Sequence, residues 1–275
     1  MIDQLLRPFD YEFFRNGVIV ATFAGTLCGI VGVYVVLKGM SYIGHGLSHA
    51  IFGGFAASAL LGVNFVLGAG VWGVASALLI NGVARRRNVG ADAAIGVITT
   101  ASFAGGLALF AAFGRHGRSF DAALFGSVLG VERSDVIAVA ALTIAVAAVV
   151  FFAYRQLLFT TFDHEVAAAS GIRTGWVDTM LTVILATSIL ATMQVLGVTL
   201  VAATLVTPAT VARLLTNSFA RMLLLATAIG AIGGFVGMNV SFHLDIQPGP
   251  SIVLVGAAMF ALAYAYSGVR QRLAT

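Results

Sequence analysis

The sequence predicts an all-α polytopic membrane protein, and three observations carry that prediction. The first is composition. Of 275 residues, 60% are hydrophobic and only 9% charged, with a mean hydropathy of +1.01. A soluble domain carries about 25% charged residues. The second is where the charges fall. Charge-free stretches run 16–37, 39–84, 93–114, 136–154, 179–212, 222–244 and 246–269, and a helix crossing the hydrocarbon core takes about 20 apolar residues. The third is glycine: 32 of them suit helices that approach closely in lipid.

In chain order, Asp3, Asp10 and Glu12 precede the first apolar run. A secretory signal has a basic start and a small-residue cleavage site, so 16–37 is expected to be retained as the first span. Stretch 39–84 holds two spans, broken near Asn64. Stretches 93–114 and 136–154 give one each. Stretch 179–212 is too long for one span and short for two. It is expected to turn near Gly197 and to contain one short or partly re-entrant helix. The last two stretches add two more. The expected total is nine spans, or eight if the half-helix is not counted. No soluble domain of useful size fits between them, so 1–275 reads as a single transmembrane domain.

Orientation is read from Lys and Arg. With the N-terminus outside, the inner loops hold Lys38, Arg85, Arg86, Arg87, Arg155, Arg173, Arg213, Arg221, Arg270 and Arg272, and the outer segments hold Arg7, Arg15, Arg115, Arg118 and Arg133. Ten against five favours a cytoplasmic C-terminus by the positive-inside rule. The net charge of +4 therefore reflects loop anchors rather than nucleic-acid binding. The one cysteine, Cys28, excludes an internal disulfide framework.

Few residues in such a chain have chemistry to offer. In "GHGLSHAIFGG", His45 and His49 stand four apart, which puts them on one helix face. Two neutral imidazoles there suit one borderline transition metal. The bland reading is a surface histidine and a histidine bonded to a neighbouring helix. Ionisable groups among apolar helices more often line a pathway. Further metal candidates are His243 and Asp245 in "SFHLDIQPGP", read alternatively as a polar loop with a proline turn. Asp92 in "GADAAIGV" is read alternatively as part of a helix N-terminus. Two polar segments, 162–172 ("FDHEVAAASGI") and 206–222 ("VTPATVARLLTNSFARM"), are either short helices lying against a cytoplasmic partner or ordinary loops. In the second, Pro208 stands where a helix would begin.

Together these stretches resemble the permease subunits of the ABC-3 family of metal-ion importers, which serve zinc, manganese and iron uptake. The likeness runs from "RPFDYEFFRNGVIVATFAGTLCGIVGVYVVLKGMSYIGHGLSHAIFGG" through "GADAAIGVITTASFAGGLAL", "LFGSVLGV", "FDHEVAAASGI" and "MQVLGVTLVAATLVTPATVARLL" to "GMNVSFHLDIQPGPSIVLV". The resemblance implies a type II ABC importer fold, like that of the vitamin-B12 importer, working as a permease homodimer in the plasma membrane. It implies a separate cytoplasmic ATP-binding subunit dimer and an extracytoplasmic metal-binding protein. The chain has no glycine-rich phosphate loop ending in Lys-Ser or Lys-Thr, so it is expected not to be an enzyme, with ATP hydrolysed on the partner.

By the same resemblance, 206–222 looks like the coupling helix, with Thr207, Pro208, Arg213, Asn217 and Arg221 facing the ATPase. Segment 163–172, with Asp163 and Glu165, looks like an adjacent cytoplasmic element. The family pattern at the opening stretch is Gly-Asp-x-x-x-His. Here His45 stands at the acidic position and His49 at the histidine, and the resemblance makes these two the pathway metal site. Two imidazoles shift preference from manganese towards zinc. The expected function is ATP-driven import of a divalent metal, zinc or manganese, by alternating access. The alternatives are a permease for a metal chelate (siderophore, haem or cobalamin) and an ATP-independent secondary transporter.

Overall fold

The computed structural model describes residues 7–84, 91–113, 124–127 and 130–274. Among them the regular structure is helical throughout. A 3₁₀ turn, Arg7–Asp10, leads into α1 (Glu12–Leu37), α2 (Ser41–Leu61), α3 (Phe65–Ala84) and α4 (Ala91–Phe113). Then follow α5 (Arg133–Phe152), the short α6 (Tyr154–Phe162) and α7 (His164–Ala169), and α8 (Thr174–Leu196). The chain ends in α9 (Val201–Leu215), α10 (Phe219–Leu244) and α11 (Pro248–Ala274).

Helix ends follow local chemistry. The α2–α3 break falls where the sequence places it. Gly62 takes φ 65° at the α2 C-cap, and the Asn64 side-chain oxygen accepts from the Val66 and Leu67 N–H groups at 2.9 and 3.3 Å. The turn expected near Gly197 is likewise present. That glycine, at φ 77°, ends α8. A Cβ there would meet the backbone of Leu124 and Phe125.

Among the described residues, six helices are long and apolar enough to cross a membrane: within α1, α3, α5, α8, α10 and α11. Shorter apolar stretches lie within α4, over 93–109, and in α9, over 201–215. Helix α2 has the length, but its histidines and serines dilute its hydropathy. Large apolar side chains such as Phe151, Phe152, Leu224, Leu254 and Leu262 are exposed, as helices facing lipid require.

Segment 206–222 departs from expectation. It is not one continuous helix. Its first part is the body of α9, residues 216–218 form a break, and the remainder opens α10. Pro208 does not start a helix but lies inside α9, buried, and the α9 helix begins seven residues earlier, at Val201. Pro208 has no N–H for the Thr204 carbonyl, a loss that membrane helices in general tolerate where neighbouring groups can re-satisfy the freed carbonyl. Thr207 Oγ1 donates to the Ala203 carbonyl at 2.7 Å, and the Thr207 methyl packs against Gly256 of α11.

The residues group into two compact units. The first comprises 1–36, 121–147 and 191–275. In it α9, α10 and α11 pack on one another, and α1 approaches α10 at glycine. A Cβ on Gly25 would overlap the Gly230 carbonyl, and one on Gly230 would overlap the Gly25 carbonyl. This reciprocal contact lets two backbones touch, as small residues do in bilayers. Gly230→Val is expected to force the helices apart and to cost about 1–3 kcal/mol. A lowered thermal midpoint of the detergent-solubilised protein would register it, and an unchanged midpoint would contradict the contact.

The second unit comprises 37–120 and 148–190. Its centre is α2 packed on α3 and α4. Helices α2 and α4 are close at three glycines. A Cβ on Gly46 would lie 2.7 Å from Ile95 Cγ2 and 2.8 Å from Thr99 Cγ2, and one on Gly106 would lie 2.7 Å from the Gly53 Cα. A Cβ on Gly53 would meet the Ser102 carbonyl. The α2 register against α4 is therefore fixed along its length.

Candidate metal centre

The histidine pair sits in the first half of α2, where the helix has already begun at Ser41. Gly46 and Gly53, three and four residues from His49, press this side of α2 on α4, and Leu47, Ala50 and Ile51 are fully buried. The two imidazoles lie one turn apart beside that contact. Their ring centroids lie 4.8 Å apart with planes at 84°. His49 also stands edge-to-face on Phe103 of α4, with centroids 4.9 Å apart. Phe103 in turn packs on Phe52 at 5.2 Å. The His49 ring is thus braced on one side by an aromatic and faces His45 on another. His45 is exposed and His49 half-buried. Ser48 Oγ donates to the His45 carbonyl at 2.7 Å, so this buried serine is satisfied within its own helix.

One atom of the pair has no partner. His49 Nδ1 is buried and lacks a hydrogen-bond partner among the described residues. A buried polar atom left unpaired costs about 1–3 kcal/mol, so such atoms call for an explanation. A neutral imidazole nitrogen with a free lone pair is a metal ligand. No group of three or more His, Cys, Asp or Glu side chains is placed to hold a metal among the described residues. The pair therefore offers two ligands, which suits a passing ion better than a structural one.

The other metal candidates have different surroundings. His243 and Asp245 are exposed at the end of α10 in the first unit. His243 Nδ1 lies 2.8 Å from the Asn239 carbonyl, and Asp245 forms the C-cap at φ 53°. Both fit a helix terminus. Asp92 belongs by backbone to the first turn of α4, and its side chain lies outside the described residues.

Asp163 is the N-cap of α7. Its Oδ1 accepts from the Glu165 and Val166 N–H groups at 3.0 and 2.9 Å. Glu165 is exposed. Arg213 is exposed in the last turn of α9, and Asn217 and Arg221 line a cavity beside it.

A half-buried charge cluster escaped the sequence reading, which took Lys38 for a loop anchor. Its Nζ donates to Asp178 Oδ1 at 2.8 Å and to the Thr160 carbonyl at 3.3 Å. The two charged side chains are only 14% and 24% exposed. His164 Nδ1 lies 3.9 Å from the other Asp178 oxygen. This cluster joins the corner before α2, the end of α6, the start of α7 and the first turns of α8.

Comparison with known proteins agrees with this architecture. Residues 10–267 match the family described as "ABC 3 transport family". The chain is 36% identical over 265 residues to the manganese transport system membrane protein MntC of Halalkalibacterium halodurans, covering 96% of this chain and 90% of that protein. It is 33% identical over 272 residues to a probable iron transport system membrane protein of Haemophilus influenzae, covering 99% and 100%. The solved structure of PsaBC from Streptococcus pneumoniae in complex with Fab superposes with a TM-score of 0.87 at 30% identity, covering 96% of this chain and 95% of that one. With residues 10–267 matched by the family and relatives aligned over nearly its whole length, the chain belongs to the ABC 3 transport family.

Proposed function

We propose that this chain is the membrane permease of an ATP-driven importer of divalent transition-metal ions, and that His45 and His49 hold the ion in transit. The observation that carries this is the pair itself: two rings on one helix face, 4.8 Å apart, with the His49 Nδ1 buried and unpartnered. Relatives named for manganese and for iron transport support the cargo class. Two imidazoles in place of an acid and a histidine favour zinc or another borderline ion over manganese.

The working unit is a homodimer with eight or nine spans per chain in the type II importer arrangement. Its N-terminus is outside and its C-terminus cytoplasmic. An extracytoplasmic protein delivers the ion. A cytoplasmic ATPase dimer drives alternating access by pushing on α6 and α7, with Asp163 and Glu165 at the contact, and on Arg213 at the end of α9. Thr207 and Pro208 serve helix packing instead, because both are engaged within α9 and against α11. The ion needs a hold strong enough for entry and weak enough for exit, and two protein ligands completed by water give that.

The test is reconstitution. Proteoliposomes with the permease, its ATPase and metal-loaded binding protein are expected to accumulate zinc or manganese only with ATP. Accumulation without ATP would favour a secondary transporter, and uptake of chelates but not bare ions would favour the chelate reading.

A further inference from the structure

A second polar place lies in the first unit. The end of α9, the 216–218 break, the start of α10 and the last turns of α11 border an open-sided cavity of about 580 Å³. Its polar wall carries Thr216, Asn217, Ser218, Arg221, Ser267 and Arg270. Leu214 and Leu215 supply an apolar side. Two guanidinium groups therefore line one space, and no Asp or Glu does. Neither arginine has a carboxylate within 4.0 Å among the described residues, where the ion pairs are made by Lys38, Arg133 and His164. Two like charges facing one cavity repel, and a basic side chain in the first turn of α10 also opposes the helix dipole. An anion bound between them would be attracted by both guanidinium groups and by the helix N-terminus.

The donors available define that anion. Arginine forks match phosphate oxygens in pairs. Ser218 stands at the α10 N-cap without its side chain capping the helix, so its hydroxyl is free to donate. Ser267 and Asn217 add short neutral donors. The leucines beside this polar wall suit a ligand that is amphiphilic rather than ionic alone.

We propose that this cavity binds a phosphate ester, with the headgroup of an anionic phospholipid as its occupant in the membrane. The proposal needs the chain to span a bilayer but does not depend on which metal is carried.

Native mass spectrometry of the intact permease–ATPase complex in neutral detergent tests it. Phosphatidylglycerol, phosphatidylcholine and inorganic phosphate are titrated separately against the wild type and an Arg221→Gln, Arg270→Gln variant. The wild type is expected to retain phosphatidylglycerol at least about tenfold better than phosphatidylcholine, because the choline ammonium offsets the phosphate charge and is repelled by the two arginines. The variant is expected to lose that preference while remaining assembled, and Arg221→Lys, Arg270→Lys is expected to keep part of it. Binding of inorganic phosphate, with no preference between the lipids, would support the site but assign it to a soluble anion. Equal phosphatidylglycerol retention by wild type and Gln variant, with no phosphate binding, would overturn the proposal. So would loss of the ATPase from the variant with lipid retention unchanged, which would assign the arginines to acidic groups of that partner.

Discussion

His49→Ala is expected to reduce metal uptake by at least roughly tenfold while leaving the permease assembled with its ATPase. A tenfold loss corresponds to about 1.4 kcal/mol of lost hold on the ion. That is modest for removal of one of two ligands. The ring touches Phe103 and His45 but makes no hydrogen bond through its buried Nδ1, so removing it orphans no polar partner at that atom. A purely structural histidine would behave differently. Its loss would lower stability, and uptake per assembled complex would survive. His45→Ala is expected to weaken uptake less, since His45 is exposed and its place is easily taken by water. His45→Asp is the sharper variant. It sets an acid beside the imidazole, and a hard oxygen ligand favours manganese relative to zinc. Competition between the two ions in the reconstituted uptake assay measures this. A ratio identical to wild type would remove His45 from the ion's path.

Much of this was legible before any coordinates. The four-residue spacing of the histidines places both rings on one face, because helix geometry leaves no other outcome once α2 begins at Ser41. The breaks at Gly62 to Asn64 and at Gly197 were legible because glycine and asparagine there have local work to do: left-handed backbone in one case, a side-chain cap in the other. Segment 206–222 was misread for a related reason. Its proline looked like a helix start, but the real start, at Val201, lies inside an uncharged apolar run where neither charge nor capping residue marks it. Phe103 behind His49 was not legible at all. Nothing local distinguishes it from the other 19 phenylalanines, and only the packing of α4 on α2 selects it. The same limit hid the partner of Lys38, which lies 140 residues away.

That pair carries the other large effect. Lys38→Met is expected to destabilise the protein by about 1–2 kcal/mol, between the cost of breaking an exposed ion pair and that of stranding one member of a fully buried one. The cost stays below the buried value because Asp178 keeps 24% exposure and has His164 at 3.9 Å as a second, weaker neighbour. The lost interaction is not the pair's attraction alone. Methionine leaves the Asp178 carboxylate without its ammonium and the Thr160 carbonyl without the donor at 3.3 Å. The double variant Lys38→Met, Asp178→Leu removes both charges, and replacing a buried pair by apolar residues is often nearly neutral. It should therefore recover most of the stability lost by the single change. Thermal midpoints of the four proteins in this cycle, measured in one detergent, decide it. If the two single losses simply add in the double variant, the charges do not act on each other. If the double variant recovers stability yet stays poor in transport, the pair has a second role. Lys38 stands three residues before α2, which carries the histidines, and it bonds the last turn of α6. A push on α6 and α7 would then reach the histidine pair through one ammonium group.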